Sequence, residues 1–400
     1  MAFMKSSGAA RRTAALSCTP TAAAGHDPGP SMSRPALFAP LALGPVEVPN
    51  RIAVAPMCQY SATDGCAGDW HLQHWCTLGM SGAGLVMVEA TGVERRGRIT
   101  HGCLGLYSDD CEASIARALA AARRVAGPAK FGIQLAHAGR KASAQRPWEG
   151  GRALPAHEDA WPTVSASALP FDAGWHLPEP LDEAGLARVV GAFTSAARRA
   201  VRIGFDVIEL HSAHGYLLHQ FLSPLSNRRE DEYGGVLANR LRFPLRVLAA
   251  VREAVPAGTA LGMRISATDW LAGGWTVDDS VACLNAAKDI GLDYVCVSSA
   301  GLQAKADIPL GPGYQVPAAE RIRRETGLVT RAVGLISSPR QAEAIVAEGR
   351  ADQVALARAF LDDPRWGWHA ADALGGEAGS PAQYASVRLA SWRSWRDASR

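Results

Sequence analysis

The chain has 400 residues, 48% of them hydrophobic and 20% charged, a balance that supports a large buried core in a soluble globular protein. A net charge of +3 is small at this length, so neither nucleic acid nor an anionic membrane surface is implied as a partner. Eight cysteines without a Cys-x-x-Cys pair argue against a zinc or iron–sulfur site and fit free thiols in a reducing compartment, and no apolar run reaches the roughly 18 residues that span a bilayer.

Residues 1–33 are rich in Ala, Ser, Gly and Pro, carry Lys5, Arg11 and Arg12, and have no acidic residue before Asp27. Such a stretch buries too little apolar surface to fold and is expected to be disordered. It reads either as an organelle transit peptide or as a segment upstream of a start at Met32. The second reading leaves the protein in the cytoplasm.

From Pro35 onward, short β-branched runs alternate with segments of helical period, the pattern of a parallel sheet covered by helices. The runs are Ile52 to Pro56, Leu85 to Thr91, Phe131 to His137, Phe205 to His211, Leu261 to Thr268, Tyr294 to Ser299, Val329 to Ile336 and Gln353 to Ala357. Together they predict an α/β fold, a single (β/α)8 TIM barrel over residues 34–372, with a C-terminal tail at 373–400. Between the third and fourth runs, Leu186, Val189, Val190, Phe193, Ala197 and Val201 form one apolar helical face from Asp182 to the stop at Gly204. A later helix opens with a capping-box pattern at Ser338-Pro339-Arg340-Gln341 and ends before Gly349. The segment from Lys141 to Pro180, with Trp148, Trp161 and Trp175, breaks the rhythm and reads as a long loop over the barrel mouth.

Catalytic groups of such barrels sit at the C-terminal ends of the strands. There the sequence places Ala55-Pro56-Met57-Cys58-Gln59-Tyr60, Glu89-Ala90-Thr91, Gln134 with His137 to Lys141, His211-x-x-His214-x-Tyr216, and Arg264. Two histidines three residues apart can aim two N–H donors at one oxygen, form a structural pair, or supply half of a metal site. Tyr216 is a weak acid placed to deliver a proton next to a polarised carbonyl. His71 and His74, on a helix after the first strand, read as packing residues.

These motifs, with Phe221-Leu-Ser-Pro-Leu-Ser-Asn-Arg228, Asp231-Glu-Tyr-Gly-Gly235, Arg264-Ile-Ser-Ala-Thr-Asp269, Val333-Gly-Leu-Ile336 and Ala355-Leu-Ala-Arg358, resemble the Old Yellow Enzyme family. The match is to its thermophilic-like, xenobiotic-reductase branch, and it covers Leu37 to Trp368. The resemblance implies an FMN-dependent ene-reductase that takes hydride from NADPH or NADH by ping-pong kinetics. Its substrates would be activated C=C bonds of small enones, nitro compounds or quinones.

By the same resemblance, Ala55, Pro56, Met57, Cys58 and Ala90 line the flavin ring, Gln134 meets its pyrimidine edge and Arg264 lies near N1. Gly334, Ala357 and Arg358 hold the phosphate. Cys58 tunes the flavin, Tyr60 meets substrate, His211 and His214 hold the carbonyl oxygen, and Tyr216 gives the proton. No metal is implied, and a homodimer or homotetramer is expected. An aromatic or arginine near the C-terminus completes the site in this branch. Arg388, Trp392 and Trp395 are the residues available for that role.

Three rivals make different predictions. A dienoyl-CoA or dimethylamine-type dehydrogenase would continue into an iron–sulfur segment, and a non-turnover flavin-binding or sensing barrel would not bleach with NADPH. A metal-dependent hydrolase would be colourless.

Overall fold

The structure is a computed structural model that describes residues 34–389 and 392–395; the extension expected at 1–33 lies outside the described residues. Eight parallel strands close a barrel: β1 (Ile52–Val54), β2 (Leu85–Gly92), β3 (Lys130–Ala136), β4 (Val207–Ser212), β5 (Ala260–Ser266), β6 (Tyr294–Ser298), β7 (Val329–Ala332) and β8 (Gln353–Leu356). The ring closes where β8 pairs with β1, Val354 opposite Ile52 and Leu356 opposite Val54. Each strand lies between the barrel interior and a helix, so both faces are apolar; every residue of β2 is buried.

A helix follows each strand, and the one after β3, Glu183–Arg202, shows how the sequence builds it. Asp182 caps it by accepting the Gly185 N–H at 2.7 Å. Leu186, Val189, Phe193 and Ala197 are buried against the barrel, while Val190 and Val201 sit at the edge of that stripe. The helix Pro339–Ala347 keeps its expected bounds, but Ser338 makes no side-chain capping bond. Instead Glu343 on that helix receives the backbone N–H groups of Ala36 and Leu37 at 2.9 and 2.8 Å, tying the start of the described chain to it.

A hairpin of Leu41–Leu43 and Val46–Val48 plugs the N-terminal end of the barrel, with Leu43, Val46 and Val48 packed on Ala53, Leu85, Val207, Ala260 and Tyr294. The opposite end carries the polar residues. There the segment from Lys141 to Pro180 holds short 3-10 turns and a two-residue pairing of Val164–Ser165 with Glu179–Pro180. Arg140 fastens it to the barrel, donating to the carbonyls of Leu169 and Pro170 on the loop and of Leu302 beyond β6. Among the described residues no helix is long and apolar enough to cross a membrane.

Candidate active site

The end of β4 and the turn after it carry three of the expected site residues, and the backbone of that turn is held at every peptide. His214 N–H donates to Ser266 Oγ at 3.0 Å, Lys141 Nζ donates to the His214 carbonyl at 2.9 Å, and Gly215 N–H donates to His219 Nδ1 at 2.9 Å. His214 has a left-handed φ of 56° and Gly215 one of 71°. A side chain at Gly215 would put its Cβ 2.3 Å from the Gly301 carbonyl oxygen. Left-handed backbone at a residue other than glycine costs on the order of 1–3 kcal/mol, and it persists here because the surrounding bonds over-determine it. Tyr60, also an expected site residue, has a φ of 51°.

This backbone brings the three side chains together. The His211 ring lies edge-on to His214 at 5.0 Å and to Tyr216 at 4.8 Å between centroids. His211 Nδ1 accepts the Ala213 N–H at 3.2 Å, and its Nε2 is 3.3 Å from His214 Nδ1. His214 Nε2 is 2.7 Å from Ser298 Oγ, and both Ser298 and Ser299 hydroxyls reach Gln315 Oε1, at 3.2 and 2.7 Å. Burial, followed by the Arg264 charge, holds both histidines well below the usual range, so both rings are neutral at physiological pH. Burial likewise keeps the Tyr216 phenol protonated.

Cys58, Tyr60 and Ala90 stand near Tyr216. The Cys58 thiol reaches the Ala90 backbone and the Tyr60 hydroxyl. Burial, and then the neighbouring Cys103 and Glu89, push Cys58 far up, so it is present as S–H. Tyr60 is fixed by Arg146 Nε, which donates to its carbonyl at 3.0 Å, and by the edge of Trp148 at 5.9 Å. The register of β2 against β3 slips between Val88 and Ala90, a bulge at Glu89, which accepts the Gln59 N–H at 3.1 Å and lies 3.8 Å from His71 on the helix after β1. Among the described residues no group of three or more His, Cys, Asp or Glu side chains converges as metal ligands.

Beside this cluster lies a cavity of about 470 Å³, within the size range of small-molecule sites, roughly 300–1,000 Å³. It is lined by Ala55, Arg264, Ser298, Gly334, Ala357 and Arg358 among others, so five of the expected cofactor residues converge on it. Pro56 and Met57 continue the chain from Ala55 towards Cys58. Gln134 lies deeper in the barrel, donating to Glu209 Oε1 at 2.7 Å.

A family model described as NADH:flavin oxidoreductase / NADH oxidase matches residues 36–375. The chain belongs to the NADH:flavin oxidoreductase family. It is 44% identical over 350 residues to an NADPH dehydrogenase of Geobacillus sp. (strain WCH70), spanning 87% of this chain and 97% of that one. The NADPH dehydrogenase of Listeria innocua serovar 6a (strain ATCC BAA-680 / CLIP 11262) is 42% identical over the same length, covering 87% and 98%. Among solved structures, morphinone reductase superposes with a TM-score of 0.70 at 28% identity over 88% of this chain and 93% of that one. A 2-naphthoyl-CoA reductase, at 0.76 and 23% identity over 84% of this chain and 52% of that one, shares the fold. The protein is therefore an NAD(P)H-dependent oxidoreductase of the Old Yellow Enzyme family that uses FMN and NADPH.

The cavity has the chemistry that FMN needs. Arg264 Nε is buried with no hydrogen-bond partner among the described residues, an orphaned cationic donor that an acceptor-rich ligand would satisfy. At Gly334, φ is 113° and a Cβ would come within 2.6 Å of Gln315 Nε2, so only glycine leaves that wall open. Arg358 opens the helix Arg358–Asp362, whose first N–H groups have no partner within the helix. Sequence reasoning missed Ser298, Gln315 and Lys141 as parts of this site. Isolated hydroxyl and amide side chains have no pattern of their own, and Lys141 was visible only as the end of the His137 to Lys141 motif.

Proposed function

We propose that this oxidoreductase is an ene-reductase, which saturates the activated C=C bond of small α,β-unsaturated carbonyl or nitro compounds. The observation that carries the proposal is the approach of His211 Nε2 and His214 Nδ1 to 3.3 Å, with Tyr216 against His211. Two imidazole nitrogens this close can share one substrate oxygen, and donors aimed at developing charge are a principal source of catalysis.

Bound FMN supplies hydride chemistry, which no side chain offers. The remaining work belongs to the chain. His211 and His214 hold the carbonyl or nitro oxygen and draw electron density from the β-carbon. Tyr216, kept protonated by burial, gives its hydroxyl proton to the α-carbon. Tyr60 meets the substrate at the outer side of the pocket. Ala55, Pro56, Met57, Cys58 and Ala90 would line the cofactor ring, and Gln134 would meet its pyrimidine edge. Arg264 would stabilise the negative charge of the reduced cofactor, and Gly334, Ala357 and Arg358, which line the same cavity, would hold its phosphate.

NADPH and the acceptor would occupy this pocket in turn, which would make the kinetics ping-pong. Morphinone reductase has been solved in complex with tetrahydroNAD, a nicotinamide compound in a barrel of this family. The test is His211→Ala combined with His214→Ala in the FMN-loaded enzyme. Enone and phenol binding should weaken by about a hundredfold for two lost charge-stabilising bonds, with NADPH oxidation retained. Unchanged binding would refute the assignment.

A further inference from the structure

The oxygen-binding reading leaves a proton to be accounted for. His211 accepts the Ala213 N–H at Nδ1, so its single proton is on Nε2, a fixed donor facing His214. His214 also has one proton but two places for it. With the proton on Nε2, it donates to Ser298 Oγ at 2.7 Å, Ser298 donates on to Gln315, and Nδ1 accepts from His211. That arrangement satisfies the pair internally and presents no donor to a ligand from His214.

With the proton on Nδ1, the two histidines turn N–H groups towards each other across 3.3 Å. That is tolerable only when an acceptor oxygen sits between them. Nε2 then needs a donor, and the group within reach is the Ser298 hydroxyl. A hydroxyl can reverse its role, which a carbonyl or an ammonium cannot. Gln315 Oε1 is not orphaned by the reversal, because Ser299 Oγ stays on it at 2.7 Å. Ser298 is itself buried and lines the cofactor cavity, so water does not readily replace it.

We propose that Ser298 is a positioning residue for the oxygen-binding pair. Its hydroxyl turns from Gln315 to His214 when a substrate oxygen arrives and fixes the tautomer in which His214 donates from Nδ1. The inference rests on the ene-reductase reading of His211 and His214. It makes the site selective for groups that only accept, such as carbonyl, nitro and phenolate oxygens. Each bond remakes another, and one proton passes from Nε2 to Nδ1 of a ring that stays neutral.

Nitrogen-15 NMR of the histidine-labelled, FMN-loaded enzyme tests this with 4-hydroxybenzaldehyde as the probe. The free enzyme should show His214 protonated on Nε2, and the complex should show it protonated on Nδ1. Ser298→Ala should bind the probe roughly tenfold more weakly, the cost of a buried nitrogen left without its donor, and Ser298→Thr should recover most of that loss. His214 still protonated on Nε2 in the complex would overturn the proposal. So would wild-type affinity in Ser298→Ala while His211→Ala/His214→Ala loses binding, an outcome that leaves the parent reading standing. Wild-type affinity in the double histidine variant would remove both. The tautomer measurement uses the natural chain, so it decides the matter even if Ser298→Ala does not fold.

Discussion

Gln134 donates a side-chain N–H to Glu209 at 2.7 Å, and Glu209 also receives Tyr294 and Arg331, each at 3.0 Å. A carboxylate accepts and does not donate, so this bond decides which end of the Gln134 amide is nitrogen. The oxygen is left as the end available to a ligand N–H. The expected cofactor contact is thus built on an ion pair inside the barrel.

Glu209→Gln should therefore harm both stability and cofactor retention. Removing the carboxylate leaves the buried Arg331 charge with Gln353 but without a countercharge, a loss of about 3–5 kcal/mol, and the Gln134 amide becomes free to turn. Urea denaturation and the flavin-to-protein ratio after purification measure the two effects. A wild-type midpoint with full flavin content would contradict the role given to Glu209.

The barrel was legible in the sequence because its strands are buried on both faces and spell continuous apolar runs. The first and seventh runs fall short of their expected lengths by the widest margins. The eighth-strand pairing takes β1 only to Val54, before Pro56, which has no N–H to give, and β7 stops at Ala332 because Gly334 and Leu335 turn to φ of 113° and 52°. His211, His214 and Tyr216 were legible because six consecutive residues, at the end of β4 and in the turn after it, hold all three. Ser298 lies 84 positions from His214, and Arg331 lies 122 from Glu209. Only barrel closure makes such pairs neighbours, and no local pattern announces them.

Tyr216→Phe separates proton delivery from hydride chemistry. The phenol is buried and protonated, and it touches His211 but is not part of the cofactor cavity. Bleaching by NADPH should be little changed in stopped flow, while recolouring by an enone should slow by about 10²–10⁴-fold, the usual worth of a general acid. Equal slowing of both phases would point to a structural role.

Gly334→Ala tests the cavity wall. A Cβ there meets Gln315 Nε2 at 2.6 Å in a backbone conformation with φ of 113°. The added strain, on the order of 1–3 kcal/mol, should appear as weaker FMN binding in a fluorescence titration of the deflavinated protein. Affinity equal to wild type would place the cofactor elsewhere.

Glu89 gives the fold a pH dependence. Burial raises its carboxyl from 4.5 to about 8, and the facing His71 is pushed down to about 4, so neither is charged at neutral pH across their 3.8 Å gap. Between pH 4.5 and 8 the unfolded chain has lost the Glu89 proton and the folded chain has kept it, so the Glu89 contribution to stability falls as pH rises; below pH 6.5 His71, neutral in the fold and protonated in the unfolded chain, works the other way, and the net fall from this pair lies between 6.5 and 8. Glu89→Gln removes that slope. Its stability should match wild type near pH 5 and exceed it at pH 9 by on the order of a few kcal/mol, read as a higher thermal midpoint at pH 9. Parallel curves would show that Glu89 does not titrate there.

The central claim is that one pocket passes reducing equivalents from NADPH to an activated alkene. An anaerobic visible spectrum of the purified, FMN-loaded protein tests it most directly, recorded before and after one equivalent of NADPH and again after 2-cyclohexen-1-one. The expected result is a yellow protein that NADPH bleaches and the enone recolours. A flavin that NADPH leaves yellow, or one that bleaches and stays bleached with the enone, would contradict it.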